Sequence, residues 1–225
     1  TRLQGDWSSD VCSSDLSPEP TSGRHQITTQ DQLSAIYGEP AQASLIKELD
    51  YISDHYRAFI EKAPFALIAS VGEEGLDCSP RGDPPGFVKI VDKRTVQIPD
   101  RRGNNRIDTL RNLVRDPRIS LLFLIPGIGE TLRINGTATI TVDPALLAQF
   151  EMHGKSPRSV IEVTVERIYF QCQKALVRSR LWQADAQIAR TDLPSTGTIL
   201  QAVEKSFDGK TYDENYPERL KQTIY

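Results

Sequence analysis

The sequence predicts a mainly β (α+β) fold, an antiparallel barrel of six or seven strands with peripheral helices. Short apolar segments of strand length follow one another, and turn-forming residues that suit hairpins separate most of them. Strands do not alternate with long helices and there is no GxGxxG stretch, which disfavours a doubly wound nucleotide-binding sheet. The 225 residues are 38% hydrophobic and 25% charged, which is ordinary for one globular domain with an appendage.

The first residues are set apart from the rest. Residues 6–16 read DWSSDVCSSDL, which matches one reading frame of a short-read sequencing adapter. We therefore expect residues 1–22 to be a disordered leader that arose as an artefact and takes no part in the fold. A native Ser/Asp-rich tail is the alternative. Without this leader the chain carries 26 basic and 26 acidic residues, so a generally basic nucleic-acid binder is disfavoured.

The first half of the chain predicts a helix followed by two hairpins. After a loose segment, residues 23–43, apolar residues at helical spacing predict one amphipathic helix over residues 44–62, which Pro64 ends. The proline-rich residues 80–86 are predicted to be an irregular loop, because proline lacks the donor that a strand ladder needs. The four predicted strands are Phe65–Val71, Leu76–Ser79, Phe87–Val91 and Thr95–Ile98.

The second half alternates short helices with longer strands. Asp143 and Pro144 predict a helix that Gly154 ends, and a change of phase predicts a bulge near Glu166 and Arg167. We expect the barrel to end near residue 182, and residues 183–225 to form a helical extension and a polar tail. The other predicted elements are a helix at Asn105–Arg115, a strand at Ile119–Ile125 buried on both faces, strands at Thr131–Val142 and Ser159–Cys172, and a helix at Thr198–Ser206.

The cysteines and histidines show no metal-binding spacing. Cys78 and Cys172 are far apart, and we expect two buried, reduced thiols of a cytoplasmic protein. No apolar run approaches the roughly 18 residues that cross a bilayer, so a membrane-spanning helix is not expected.

Positive charge is concentrated in residues 77–118, which hold ten Lys and Arg against six Asp. Eight of the ten are Arg, which suits bidentate binding of phosphate. The string RRGNNR, residues 101–106, lies between a predicted strand and a predicted helix start. The N–H groups of a helix N-terminus, with a close backbone approach at Gly103, are typical of a phosphate cradle. A solvated Arg-rich hairpin with a helix cap is the alternative.

Four stretches together resemble the pyridoxamine-phosphate-oxidase-like family of FMN-binding split barrels, in its uncharacterised, FMN-dependent branch. They read FALIASVGEEGLDCSPRGDPPGFVKIVD, IPDRRGNNRIDTLRNLVRDPRISLLFLIPG, ETLRINGTATIT and YFQCQKALVRSRLW, and they lie in residues 65–182. The resemblance implies a Greek-key split barrel over residues 44–182. It also implies a homodimer that holds two FMN molecules in the grooves between its subunits.

The resemblance also implies which residues bind FMN. Asn105 and Arg106 take the place of the basic pair that holds the phosphate. Pro99 and Asp100 take the place of residues whose backbone contacts the isoalloxazine, and Thr131 that of a polar residue at its pyrimidine edge. The full predicted set is Arg81, Lys89, Pro99, Asp100, Asn105, Arg106, Thr131 and Arg133.

Departures from the family pattern limit the implied activity. True pyridoxamine-phosphate oxidases hold their substrate with a Tyr and an Arg that have no match in residues 150–154, and with a His replaced by Trp182. The resemblance thus implies an FMN-dependent oxidoreductase that is not a pyridoxine-phosphate oxidase. Its electron donor would be NAD(P)H or an amine, and no catalytic residue is assigned. The alternatives are a deazaflavin-dependent reductase and a non-catalytic flavin- or haem-binding module, with His153 as the candidate haem ligand.

Overall fold

The structure is a computed structural model, and it describes residues 25–225 in two compact units that meet in sequence at Ala41 and Gln42. The predicted leader, residues 1–22, lies outside the described residues. In the first unit, residues 25–41 contain helix α1 (Gln30–Tyr37). Thr29 and Gln32 form a capping box at its start, which satisfies N–H groups that the helix leaves open.

The second unit begins with two helices where the sequence predicts one. Helix α2 is Gln42–Ile46 and helix α3 is Asp54–Lys62. The prediction of a continuous helix is wrong because the backbone of Leu49 pairs with Ile168 in a strand-like bridge. Ser53 then starts α3 by accepting a hydrogen bond from the N–H of Tyr56. As predicted, Pro64 follows the end of this helix.

Seven antiparallel strands form one sheet, which confirms the predicted fold class. Their order in the sheet is β2-β1-β5-β6-β7-β4-β3, so β1–β5 and β4–β7 pair across long sequence separations. The strands are β1 (Phe65–Gly72), β2 (Gly75–Gly82), β3 (Lys89–Ile90), β4 (Thr95–Asp100), β5 (Arg118–Leu124), β6 (Thr131–Thr141) and β7 (Ser159–Gln171).

Two predictions for the first hairpins need correction. Strand β2 runs through Pro80 to Gly82, so the predicted loop at 80–86 is wrong in its first residues. Because β2 lies at one end of the sheet, the missing N–H of Pro80 can face the unpaired edge without loss of a ladder bond. In contrast, Phe87 and Val88 are buried but lie outside β3, which is two residues long.

The hydrophobic core lies against one face of strand β5. Along β5 the side chains of Ile119, Leu121 and Phe123 are buried, while Leu122 and Leu124 are half-buried. The prediction that this strand is buried on both faces is therefore wrong. Its alternation is the pattern of a strand with one face on the core. Other fully buried core residues are Ile60, Ile68, Ile98, Leu132, Ile134, Ile161 and Ile168.

The predicted bulge is confirmed, and it depends on a glycine in the neighbouring strand. Asn135 pairs with Arg167 and Gly136 pairs with Val165, so Glu166 is the extra residue on β7. A Cβ on Gly136 would lie 1.9 Å from the carbonyl oxygen of Thr164. The close approach of the two strands at this point therefore requires glycine.

Five helices follow in the second unit: α4 (Asp108–Arg115), α5 (Pro144–Ala148), α6 (Lys174–Ser179), α7 (Thr196–Val203) and α8 (Gly209–Thr223). Asp143 caps α5 as predicted, but Gly154 does not end this helix, because α5 already ends at Ala148 and Gly154 lies in a later turn. The predicted polar tail is instead helical over α8. The helix is polar around most of its surface, so it lacks the apolar stripe that predicts a helix. It also contains Pro217, a residue that disfavours a helix interior.

Contacts with α7 stabilise α8. The carboxylate of Asp213 accepts hydrogen bonds from the N–H of Gly197 and the hydroxyl of Ser195. The helices also approach so closely that a Cβ on Gly209 would lie 2.3 Å from the carbonyl oxygen of Gly197.

Both thiols of the described residues are exposed, so the prediction of buried cysteines is wrong. Cys78 lies on the edge strand β2 and Cys172 directly follows β7. Among residues 25–225, no three His, Cys, Asp or Glu side chains are grouped to hold a metal ion. No helix within the same residues is long and apolar enough to span a membrane.

We expect Gly136→Ala to destabilise the protein by about 2–3 kcal/mol, because the new methyl group overlaps backbone that cannot move away alone. Urea denaturation would measure this loss as a lower midpoint. Gly103→Ala is the matched control, since a Cβ there meets nothing within 4 Å. Equal midpoints for the two variants would contradict this account of the bulge.

Candidate functional site

A cavity of about 670 Å³ lies where β2 and β4 end. Arg81 from β2 and Pro99 and Asp100 from β4 contribute one part of its lining. The loop of residues 101–107, which connects β4 to α4, contributes another. The adjacent ends of two strands and one loop thus bring together residues that are far apart in sequence.

The loop and the N-terminus of helix α4 both line this cavity. Helix α4 begins at Asp108, so the predicted start at Asn105 is wrong. Asn105 and Ile107 both adopt left-handed backbone conformations, with φ of 63° and 53°, which a helix cannot include. Asn104 instead accepts a hydrogen bond from the N–H of Arg106. The side of Gly103 where a side chain would stand is open, and this leaves room for a ligand to approach the backbone.

Carboxylates neutralise three of the arginines that line the cavity. The guanidinium of Arg106 lies 2.8 Å from Asp108, which raises the pKa of Arg106. Arg101 likewise pairs with Asp83 at 2.8 Å and also donates to the carbonyl oxygen of Phe150. Each of these arginines is therefore held in place by a partner from the same chain.

The third pair joins Arg81 and Asp100, whose charged atoms are 3.6 Å apart. Burial raises the pKa of the Asp100 carboxyl, while the charges of Arg81 and Arg158 act in the opposite direction. The carboxylate is thus destabilised where it stands, although two arginines face it.

Two arginines of the cavity have no carboxylate partner among the described residues. Arg102 is exposed in the loop, and Arg158 donates to the side-chain oxygen of Asn105 at 2.8 Å. Arg158 is not among the cofactor residues that the sequence predicts. The signal that could have found it is the pairing of β4 with β7, because Asp100 lies opposite Ser159 and so beside Arg158. These two arginines give the cavity its surplus of positive charge.

The structure brings five of the eight predicted cofactor residues together. The five that line the cavity are Arg81, Pro99, Asp100, Asn105 and Arg106.

The other three predicted residues do not line the cavity. The ammonium of Lys89 donates to the carbonyl oxygen of Gln149 at 2.5 Å and lies 4.4 Å from the ring centroid of Phe150. Lys89 therefore secures the segment that follows α5.

Thr131 and Arg133 form a separate polar cluster on β6 with two residues of β7. The guanidinium of Arg133 donates to the hydroxyl of Tyr169 at 3.3 Å and to the amide oxygen of Gln171 at 3.4 Å. Thr131 donates to the same oxygen of Gln171 at 3.4 Å.

The fold and the sequence together define the family. A sequence profile described as pyridoxamine 5′-phosphate oxidase matches residues 52–172, which is more than half of the chain. The chain therefore belongs to this family, and the predicted family resemblance is confirmed. None of the curated proteins compared with the chain matches it.

Several solved structures are similar to this chain. HupZ of Group A Streptococcus is 21% identical with a TM-score of 0.44, over 54% of this chain and 94% of its own. An F420 reductase is 14% identical with a TM-score of 0.39, over 53% of this chain and 98% of its own. An FAD-binding protein of Mesorhizobium loti is 12% identical with a TM-score of 0.38, over 55% and 93% respectively.

The raised pKa of Asp100 predicts how the stability of the fold depends on pH. A folded pKa above the unfolded value means that protonation stabilises the fold, and that this gain is lost as pH rises through the folded pKa. We therefore expect Asp100→Asn, which mimics the protonated form, to melt a few degrees higher than wild type at pH 7. The difference should vanish below about pH 4, where Asp is protonated even when unfolded.

Asp116→Asn is the control of opposite sign. The hydrogen bonds of Asp116 with Arg118 lower the pKa of this carboxyl to about 2. The stability that the Asp116 carboxylate contributes is present above its unfolded pKa and is lost as pH falls through its folded pKa. Asp116→Asn should therefore melt at a lower temperature than wild type at pH 7. Thermal unfolding from pH 3 to pH 8 would measure both, and a lower melting temperature for Asp100→Asn at pH 7 would refute the argument from burial.

Proposed function

We propose that the protein is an FMN-dependent oxidoreductase whose substrate is not pyridoxine phosphate. The observation that carries this proposal is the convergence of Arg81, Pro99, Asp100, Asn105 and Arg106 on one cavity. These residues were chosen from the sequence by resemblance to FMN-binding positions, and they come from two strands and a loop. Membership of the family supports the same proposal.

The residues of the cavity fit an anionic, mononucleotide-sized group. A volume of about 670 Å³ falls within the range of pockets that bury small ligands, roughly 300–1,000 Å³. The unpaired charges of Arg102 and Arg158 favour a phosphate, which arginine binds with two parallel hydrogen bonds.

The chain's own residues would divide the work of holding FMN. Arg158, Arg102 and Arg106 would hold the phosphate, because all three line the cavity together with Gly103, whose backbone a ligand can approach. Arg81 would place positive charge near the flavin ring, where Asp100 fixes its side chain. FMN, when bound, supplies hydride transfer at its N5 position. The protein's part is then to orient the cofactor, to limit the access of water and to stabilise negative charge.

The electron donor would be NAD(P)H or an amine, as expected from the sequence. The alternatives, a deazaflavin-dependent reductase and a non-catalytic flavin- or haem-binding module, lead to different chromophores. The decisive experiment is therefore to purify the protein without added cofactor, record its absorption spectrum and identify what it releases. Flavin bands with FMN as the released molecule would support the proposal. A Soret band, a deazaflavin spectrum, or no chromophore that added FMN can restore would overturn it.

The assignment of the phosphate contacts can be tested with one arginine. We expect Arg158→Ala to weaken FMN binding about ten-fold or more, since a hydrogen bond to a charged group contributes about 1.5–3 kcal/mol. Riboflavin, which lacks the phosphate, should bind both proteins with similar affinity. Isothermal titration with both ligands would measure these affinities.

Arg178→Ala is the matched control for this test, because Arg178 is exposed on α6 and does not line the cavity. An equal loss of FMN and riboflavin affinity in Arg158→Ala would show that Arg158 does not contact the phosphate.

We further propose that the protein is a homodimer and that Thr131 and Arg133 complete the cofactor site of a second copy. This would explain why two residues predicted to bind FMN lie in a cluster of their own. We expect sedimentation to report a dimer. We also expect Arg133→Ala to release FMN about ten-fold more readily, since a lost charge-assisted contact has about this effect. Arg167→Ala, an exposed arginine on the neighbouring strand, is the control. A monomer that retains FMN would contradict the proposed dimeric site.

A further inference from the structure

The main cavity has a wall that comes from outside the family segment. Tyr225 follows helix α8, whereas the family match ends at residue 172. Its side chain lines the main cavity and also an adjoining recess of about 260 Å³. The C-terminal extension thus contributes directly to the candidate site.

Several contacts hold Tyr225 in this position. Its hydroxyl donates to a carboxylate oxygen of Asp83 at 2.8 Å. Its ring centroid lies 5.0 Å from that of His153 and 5.8 Å from the guanidinium carbon of Arg101. The ammonium of Lys155 donates to its backbone oxygen at 2.7 Å. These partners come from the end of β2, the loop after β4 and the turn after α5.

Asp83 is the central partner of this cluster. Its side chain is 2% exposed, and its second oxygen accepts a hydrogen bond from Arg101 at 2.8 Å. The hydrogen bond to Asp83 raises the pKa of Tyr225, so the phenol stays protonated and remains a donor. The ring therefore has a fixed place beside the cavity.

The composition of the lining indicates what this ring could do. Arginines, aspartates and asparagines dominate the cavity, and Phe87 and Tyr225 are the two aromatic residues among those that line it. The cavity keeps its volume of about 670 Å³ with Tyr225 in place, so the ring does not block it. A planar, largely apolar ligand ring needs apolar contacts to be buried, and aromatic side chains supply them with little loss of entropy.

We propose that Tyr225 is a binding residue of this cavity, where its ring forms an aromatic wall against the planar ring system of the cofactor. Asp83 is the positioning residue that holds the phenol in place. This inference rests on the proposed function, because the ring system it concerns is that of FMN. It adds a residue of the C-terminal extension to a site whose other predicted contacts come from the family segment.

The test compares FMN-loaded wild type with Tyr225→Phe, Tyr225→Ala and the control Tyr216→Ala. Tyr216 lies on α8, the helix that precedes Tyr225, and is exposed. Two quantities are measured: the emission of bound FMN, and its rate of release after dilution. A phenol in contact with an excited flavin quenches its emission, because an electron passes from the phenol to the flavin and then returns, with no net redox change. A phenyl ring does not transfer an electron in this way.

We expect Tyr225→Phe to raise the emission while release changes little, because the ring remains. Tyr225→Ala should raise the emission and also speed release about ten-fold, as expected when one aromatic stacking contact is lost. Tyr216→Ala should match wild type in both measurements.

Wild-type emission and release in both Tyr225 variants, with FMN still bound, would overturn the inference and leave the proposed function intact. A wild-type protein that retains no added FMN would overturn the proposed function, and this inference with it. Should Tyr225→Ala fail to fold, the emission of Tyr225→Phe decides the question alone.

Discussion

The pairing of β4 with β7 is the interaction on which the site depends. Ile98 lies opposite Ile161 in this ladder, and both are fully buried, so their burial stabilises the pairing by about 1.5–3 kcal/mol for each side chain. The same register places Asp100 opposite Ser159, and the backbone N–H of Arg158 donates to the carbonyl oxygen of Asp100. A slip of one residue would turn the apolar side chains away from the core and separate these polar groups. Core packing therefore fixes the geometry of the charged cavity.

The charges of the cavity follow from this arrangement. Arg81, Arg101 and Arg106 each have an aspartate within the chain, which restrains their side chains but also reduces the net field. Arg102 and Arg158 are left without a carboxylate among the described residues. A phosphate bound beside them would then be attracted by two free charges and oriented by three restrained ones. The free charges would contribute affinity for the anion, and the restrained arginines would fix its position.

The sequence predicts the strands of this protein well and its helix boundaries poorly, for physical reasons. Strand periodicity and the bulge near Glu166 are local features that a single chain displays. The break between α2 and α3 depends on a bridge from Leu49 to Ile168, which no local pattern records. The family resemblance predicts the five candidate cofactor residues that line the cavity, whereas the position of Arg158 depends on the β4–β7 register. Helix α8 has no apolar stripe, since a glycine contact and Asp213 anchor it instead.

The C-terminal extension can affect which ligand this cavity binds. The family segment, residues 52–172, supplies the arginines that suit a phosphate, a group common to many cofactors and substrates. The extension joins the cavity wall through a hydrogen bond between Tyr225 and Asp83, residues separated by 142 positions. Because Asp83 also holds Arg101, a change in the extension would alter the position of a cavity arginine as well as the wall itself. Ligand choice can thus vary through the extension, by the wall that it forms and by the position of Arg101, while the core that positions Arg102 and Arg158 remains unchanged.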